Sequence, residues 1–318
     1  MGSKQENKSG RPLTSLTGYI KRISSFASSG YEHIFYRGHS NKEYEMTPSV
    51  FRGDRLQHES HLYNDMLLMN PAEFRDDTST IEKLARMQHH GCPTRLLDIT
   101  SNPLVALYYA VSEYSGDGGK TGEVVAVISK NDSIKYYDDE QVIFLSNLSK
   151  LTYAEKKSIN RIYEILVSEQ TKGIFIDTIG DVLSLIMRGG NDSKYSIRDF
   201  YAFKKLYRYI KAEKILYEEH EYIYQVANYY RKIIVVRPKI NNKRILAQSG
   251  AFLLYGHNAT LNDSSDIRIE HIYIDKNSKH SIMEVLDSLN INNGSLYLDI
   301  DNYSKYLLEK YTKNINMQ

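Results

Sequence analysis

Short runs of β-branched and aromatic residues alternate along the chain with longer segments whose apolar residues recur at helical spacing. The short runs are bounded by turn residues and predict β-strands. They lie at residues 34–37, 123–129, 233–237, 251–255 and 271–274. Strands that come from both ends of a chain, with helices concentrated between them, are typical of the α+β class rather than of repeated βαβ units.

Two helix starts are marked by local chemistry. Ser79 and Glu82 have the spacing of a capping box, which opens a helix that we expect to end before Gly91. Asn102 followed by Pro103 provides a cap and a favourable first-turn residue for the next helix. The pattern therefore predicts two helices joined by a short extended segment.

The middle of the chain, about residues 131–230, has mostly helical periodicity and is predicted to be a helical insert. Phe203, Leu206 and Ile210 form one of its apolar stripes. There is no internal repeat and no low-complexity linker. We therefore expect a flexible tail at 1–12, followed by a single domain over 13–318.

Composition narrows the class of protein. The chain has 318 residues, of which 41% are apolar, so it can fill a sizeable core. One cysteine cannot form an internal disulfide or a multi-cysteine metal site, and we expect no metal. No run approaches the roughly 18 apolar residues of a membrane span. We therefore expect a cytoplasmic protein without a membrane partner.

The net charge of +2 is unevenly distributed. The segment 188–244 holds 14 Lys and Arg against 6 Asp and Glu, and it contains nine of the 27 tyrosines. Cations beside aromatic rings are a common way to hold single-stranded nucleic acid. The alternative is a solvated helical face whose tyrosines lie at the edge of the core, which is the usual meaning of a charge run.

The junction between the two predicted helices carries candidate chemistry. Thr100 and Ser101 lie where an extended segment meets a helix N-terminus, a place that favours phosphate or ribose. The alternative is that they cap the helix while Arg95 pairs with Asp98. The cysteine and two histidines of the junction lie too close in sequence to form a nucleophile pair or a metal site. We expect them to serve packing and capping.

Two further stretches contain polar residues beside predicted strands. Arg37 is followed by Gly38, which brings the backbone close and leaves the guanidinium able to grip a phosphate or carboxylate. A structural salt bridge is the alternative for Arg37. Gln248 precedes a strand and offers an amide that can orient a ribose hydroxyl but cannot act as a general base.

Together these stretches resemble the FRG domain family. The family's Phe-Arg-Gly motif corresponds to Tyr36-Arg37-Gly38 in "FYRGHS". Its central pattern is matched almost throughout by "QHHGCPTRLLDITSNPLVALYYA", and "RILAQSGAF" is similar to a closing element. The similarity spans roughly residues 34–307, and fixed residues over more than twenty positions are far less accidental than a short pattern.

The resemblance implies a fold like that of the ADP-ribosyltransferases, a mixed β core that here carries the helical insert. It implies NAD as the substrate, with Arg37 as the residue that anchors it. Thr100 and Ser101 would stand for the second motif, and Tyr108 or Tyr109 would pack on nicotinamide. Gln248 would occupy the place of the family's catalytic glutamate, and an amide carries no charge to stabilise an oxocarbenium-like transition state.

The same resemblance implies further nucleotide contacts from Gly38, Arg95, Asp98 and Asn102. Asp98 is also a carboxylate that could serve in place of the family's catalytic glutamate. The implied function is a mono-ADP-ribosyltransferase that acts as an intracellular toxin or antiphage effector. Its acceptor would approach over the basic segment, and an antitoxin would be a partner. The alternative is a nucleotide-binding or nucleic-acid-binding module without turnover, or a partner-binding scaffold in a toxin and antitoxin set.

Overall fold

The protein is described by a computed structural model over residues 10–27, 33–113, 119–129, 134–174, 176–188, 196–214, 219–239, 250–261, 266–297, 303–304, 306–308 and 311–312. In this part of the chain seven strands form one sheet. The strands are β1 His33–His39, β2 Leu96–Thr100, β3 Gly122–Ser129, β4 Ile134–Tyr136, β5 Ile233–Arg237, β6 Gly250–Tyr255 and β7 Ile267–Ile274.

The strand order is β4-β5-β6-β2-β1-β3-β7. Neighbours are antiparallel except β4 and β5, which run parallel. All five predicted strands are present, and the extended segment between the predicted helices forms β2. The short strand β4 was not predicted, because three residues are too few to show a periodicity.

Helices cover one face of the sheet and form the middle of the chain. They are α1 Leu16–Ala27, α2 Glu59–Met69, α3 Thr80–His89, α4 Pro103–Val111, α5 Glu140–Asn147, α6 Tyr153–Thr171, α7 Ile179–Arg188, α8 Ile197–Glu213, α9 Glu219–Tyr229, α10 Lys279–Ser288 and α11 Asn293–Leu296. Helices and an antiparallel-rich sheet confirm the predicted α+β class.

The predicted helix starts are confirmed in detail. The Ser79 hydroxyl accepts from the Glu82 amide and the Glu82 carboxylate accepts from the Ser79 amide, which is the capping box. Gly91 follows α3 with a φ of 79°, a left-handed conformation that suits glycine. The Asn102 side chain accepts from the Leu104 amide at the start of α4.

The helices α5 to α9 lie between β4 and β5, in the segment predicted as an insert. With α2 and α3 they form a helical block whose apolar cluster includes Phe144, Phe203 and Tyr222. The block packs against Leu96, Phe252 and neighbouring residues of β2, β5 and β6. A second cluster joins α1, α4 and α10 to β1, β3 and β7.

Both clusters occupy the same face of the sheet. Tyr36 of the second cluster pairs with Thr100, and Phe252 of the first pairs with Asp98 on the same strand as Thr100. Residues opposite each other, and residues two apart on one strand, point to one face. The two helical layers therefore stand side by side over the sheet, and a cleft opens between them.

The assignment of 1–12 as a tail and of 13–318 as one domain stays a prediction. Residues 1–9 lie outside the described part of the chain. Leu13 forms an isolated bridge with Ile274, so this residue lies beside the sheet. Among the described residues, no helix combines the length and apolar character needed to cross a bilayer.

Candidate functional site

The cleft begins where β1 and β2 separate. These strands are joined by one described pair, Tyr36 with Thr100, whereas β1 pairs with β3 over seven residues. Beyond the single pair, Nη1 of Arg37 donates to the carbonyl oxygen of Asp98 at 2.6 Å. The side chain therefore provides a donor where an antiparallel ladder would place a backbone amide.

The cleft has a volume of about 210 Å³. It lies between α3 and α4, above the strands β1, β2 and β6. It is polar at its centre and apolar at its walls. Its lining residues are Tyr36, Arg37, Gly38, Ala85, Gln88, His89, Asp98, Ile99, Thr100, Val105, Ala106, Tyr109, Gly250, Ala251 and Phe252. Such a concave site with a few convergent polar groups is the usual form of a small-molecule site.

Glycine at position 38 allows α4 to form one wall of the cleft. A Cβ at Gly38 would lie 1.9 Å from the carbonyl oxygen of Ala106, far inside van der Waals contact. The same helix lies equally close to β3, where a Cβ at Gly122 would be 2.3 Å from the carbonyl oxygen of Ala110. Gly38 therefore permits close helix packing, which the sequence interpretation of a backbone near a ligand did not identify.

Arg37 lines the cleft at the gap between β1 and β2, and its guanidinium is held there rather than free. Besides the bond to Asp98, its Nε donates to Nε2 of His39 at 3.1 Å. Burial lowers the pKa of Arg37, and the nearby Asp98 carboxylate offsets part of this effect. Arginine remains protonated in proteins, and two bonds use two of its five donors. The other three N–H groups have no partner among the described residues and can bind an anion.

Asp98, Thr100 and Tyr109 also line the cleft, as the resemblance implied. The Asp98 side chain is exposed, whereas Thr100 is buried and its hydroxyl accepts from the Asn102 amide at 3.0 Å. Asn102 itself caps α4. Among the residues predicted here, the structure thus brings three side chains together beside Arg37.

Two other predicted contacts, Ser101 and Tyr108, are not among the described lining residues of the cleft. Ser101 is exposed outside it, and Tyr108 packs against the apolar cluster of α4. Gln248 lies outside the described residues, although Gly250, two positions later, forms part of the floor. The role expected for Gln248 stays a prediction.

Arg95 requires a correction, because it neither faces the cleft nor pairs with Asp98. It is fully buried, and its Nε donates to Oε1 of Glu59 at 2.8 Å. Its Nη1 donates to the carbonyl oxygen of Tyr255 at 2.8 Å. Residues three apart on an extended strand point to opposite faces, so an Arg95 and Asp98 pair was geometrically disfavoured. Arg95 is a structural residue.

The buried charge cluster around Glu59 joins the helical block to the sheet. Nζ of Lys156 lies 2.7 Å from Oε2 of Glu59, so α6 also reaches this carboxylate. Burial raises the pKa of Glu59, but Arg95 and Lys156 outweigh it and bring the value to about 2. Burial, together with the two cations, lowers the pKa of His257 beside them to about 4. Glu59 is therefore charged and His257 neutral at pH 7.

Sequence interpretation missed two polar residues of the cleft. His89 was expected to serve packing and capping, and Gln88 was given no role, yet both line it from α3. Ala85, Gln88 and His89 lie at i, i+3 and i+4, so they share one helical face. That spacing could have revealed them. Only the short strand β2 separates α3 from α4, and the small residues of α4 lie opposite this face of α3.

The basic segment 188–244 contributes more to the core and to ion pairs than a surface for base stacking would. Tyr222, Tyr229 and Tyr230 are buried in the core. Lys205 pairs with Glu155, and Arg231 pairs with Glu164. The outer face of α8 still exposes Tyr201 and several cations. Binding of nucleic acid by residues 188–244 stays a prediction.

No group of three or more potential metal-ligating side chains occurs among the residues that the structure describes. The thiol of Cys92 is half-buried, and burial raises its pKa. A raised pKa reduces the thiolate fraction, which is the reactive form.

Comparison with known proteins supports the family resemblance over part of the chain. No curated protein and no solved structure matches it. The family model of the FRG domain matches residues 32–118, a range that contains β1, α3, β2 and α4. The part of the chain that supplies most of the cleft is therefore the part that matches the FRG domain.

Proposed function

We propose that the protein is an NAD-dependent mono-ADP-ribosyltransferase and that the cleft between α3 and α4 is its active site. The observation that carries the proposal is the Arg37 guanidinium, which lies at the separation of β1 and β2 with three N–H donors that have no partner among the described residues. Arginine binds phosphate oxygens through forked, charge-assisted hydrogen bonds. Arg37 would hold the pyrophosphate of NAD.

The size of the cleft supports binding of one end of a dinucleotide. Its 210 Å³ is below the range of about 300–1,000 Å³ that takes drug-sized ligands. Nicotinamide and its ribose would enter, with Tyr109 against the ring and Thr100 beside the ribose. The adenosine portion would lie outside the cleft.

Transfer needs an acceptor nucleophile and a base. The bond between C1′ of the ribose and the nicotinamide nitrogen breaks, and its electron pair leaves with nicotinamide. A lone pair of the acceptor forms the new bond to C1′, and the acceptor's proton passes to a carboxylate. Asp98 is the carboxylate among the described lining residues, so we propose it as this base.

The biological role proposed is that of an intracellular toxin or antiphage effector that an antitoxin restrains. Nucleic acid is the proposed acceptor, through the exposed cations and Tyr201 of α8. A protein acceptor is the competing choice. The fully buried tyrosines of the same segment leave fewer rings for stacking than the sequence implied.

A module that binds a nucleotide without turnover, or a partner-binding scaffold, is the second candidate. It is favoured by the structural roles of Gly38 and Arg95, two of the most distinctive motif residues, because packing alone explains both. Motif residues whose role is structural are compatible with a protein of this fold that catalyses no reaction.

The test is incubation of the purified protein with NAD labelled on the adenylate phosphate and a whole-cell extract. Portions of the product are treated with RNase, DNase or protease. Label transferred by the wild type but not by Arg37→Ala supports the enzyme, and the digestion that removes the label identifies the acceptor class. Intact NAD and no transfer, with the extract supplying any activator, would contradict it and favour the module.

A further inference from the structure

Arg37 is one end of a chain of hydrogen bonds that crosses three strands. Nε of Arg37 lies 3.1 Å from Nε2 of His39. Nδ1 of His39 lies 3.3 Å from Oε2 of Glu123, and Nδ1 of His271 lies 2.7 Å from Oε1 of the same carboxylate. The chain thus runs from β1 through β3 to β7.

Strand register explains why these side chains meet. His39 is the direct cross-strand partner of Glu123, and Arg37 is two residues before His39 on the same face. His271 pairs with Val125, which makes it a diagonal neighbour of Glu123. Diagonal partners on one face are within reach of long side chains.

The donors and acceptors fix the protonation of His39. Arginine Nε can only donate, so Nε2 of His39 must accept. A neutral imidazole with an accepting Nε2 carries its proton on Nδ1, where Glu123 accepts it. The carboxylate therefore selects the tautomer that can bind Arg37.

Burial protects this chain of hydrogen bonds from competition with water. His39 and Glu123 are each 4% exposed, so water does not replace their bonds. Burial raises the pKa of Glu123, but hydrogen bonds from His271 and His39 outweigh it and lower the pKa overall. Glu123 is thus an anion at neutral pH and keeps accepting from both rings.

We propose that His39 and Glu123 are positioning residues that set the plane of the Arg37 guanidinium in the cleft. One bond from Nη1 to Asp98 leaves the group free to pivot. The second bond, from Nε to a histidine whose tautomer Glu123 selects, removes that freedom. The proposal rests on the proposed function only for the identity of the anion that Arg37 then meets.

The test follows the Nε–H group of Arg37 by NMR, with its resonance assigned by its disappearance in Arg37→Lys. Exchange of this proton with water is compared in wild type, His39→Leu and Glu123→Gln. His280→Ala is the matched control, because His280 also faces a carboxylate, Glu284, but is 60% exposed on α10.

We expect His39→Leu to accelerate exchange by about tenfold or more, since a hydrogen bond from a charged donor is lost. Glu123→Gln should give a smaller acceleration, because the two histidines contact different carboxylate oxygens and glutamine replaces one of these with an NH2 donor. His280→Ala should match the wild type. Unchanged exchange in His39→Leu would overturn the proposal. If that variant does not fold, Glu123→Gln decides: faster exchange supports the proposal, and wild-type exchange overturns it.

The outcome is separable from that of the proposed function. A protein that binds no NAD, but whose Arg37 proton exchanges faster in His39→Leu, keeps the positioning role and loses the enzyme. A protein that binds NAD through Arg37, with exchange unaffected by His39→Leu, keeps the site and loses the positioning role.

Discussion

The Nη1 group of Arg37 donates a hydrogen bond of 2.6 Å to the backbone carbonyl of Asp98 at the point where β1 and β2 part. A side chain of one strand thereby closes a gap in the ladder with its neighbour. The cleft begins at this gap. The same side chain places a positive charge beside any ligand that enters the cleft. Fold and candidate site thus depend on one residue.

Replacement of Gly38 by alanine should disrupt the wall of the cleft. The new Cβ would lie 1.9 Å from the Ala106 carbonyl, so α4 must move away from β1. We expect a loss of unfolding free energy at or above the upper end of the ~1–3 kcal/mol typical of overpacking. Urea denaturation measures it.

Gly180→Ala is the matched control for this change. Its added Cβ would meet Thr178 at an ordinary 3.4 Å, at the start of α7. Alanine favours helix over glycine by roughly 0.5–1 kcal/mol, so stability should be unchanged or slightly higher. Equal stability of Gly38→Ala and Gly180→Ala would contradict the packing described for α4.

Arg95→Met should destabilise the protein strongly while leaving the cleft residues in place. It removes the buried partner of Glu59 and leaves the carboxylate with Lys156 alone. Removal of one partner of a buried pair costs about 3–5 kcal/mol. Arg268→Met, which breaks an exposed pair with Glu270, should cost no more than about 1 kcal/mol. Comparable unfolding midpoints for the two variants would refute the structural role.

Stability should fall on acidification through the titration of His257. Its pKa is lowered from 6.5 to about 4 in the folded chain, so the unfolded chain binds more protons between these values. Unfolding free energy is then lost as pH falls from about 6.5 to about 4, by up to ~3 kcal/mol. Denaturation at pH 7, 5.5 and 4.5 should show a shallower loss in His257→Phe. His280→Ala should follow the wild type, and identical slopes in all three proteins would disprove the assignment.

Asp98→Asn should slow transfer without abolishing NAD binding. The amide cannot take the acceptor's proton, and loss of a general base reduces a rate by about 100-fold or more. The exposed Asp98 side chain carries no described hydrogen bond that the fold requires, so the stability of the variant should be close to that of the wild type. A normal transfer rate in Asp98→Asn would exclude it as the base.

Much of the fold could be predicted because its signals are local. The capping box at Ser79 and the cap at Asn102 fixed two helix starts, and the β-branched runs located five strands. The strand β4 lacked such a signal, whereas the helix α1 was overlooked although Tyr19, Ile23 and Phe26 recur at helical spacing. The order of the strands could not be predicted, since pairing depends on contacts between residues far apart in sequence.

Some residues of the cleft were predictable one by one, but their arrangement was not. Arg37, Asp98 and Thr100 were identified from the motif, and the cleft brings them together. Arg95 was misassigned, because its partner Glu59 is 36 residues away and no local pattern joins them. The link from Arg37 to Glu123 depends on strand register, which the sequence does not reveal.

The most direct test of the account is calorimetric titration of NAD into wild type, Arg37→Ala and Arg268→Ala. Arg268 is an exposed arginine away from the cleft and controls for loss of a positive charge. We predict that wild type and Arg268→Ala bind NAD equally. Arg37→Ala should bind about tenfold to 100-fold more weakly, from the loss of charge-assisted hydrogen bonds. Equal affinity of all three proteins, or no binding by wild type, would contradict Arg37 as the anchor of NAD.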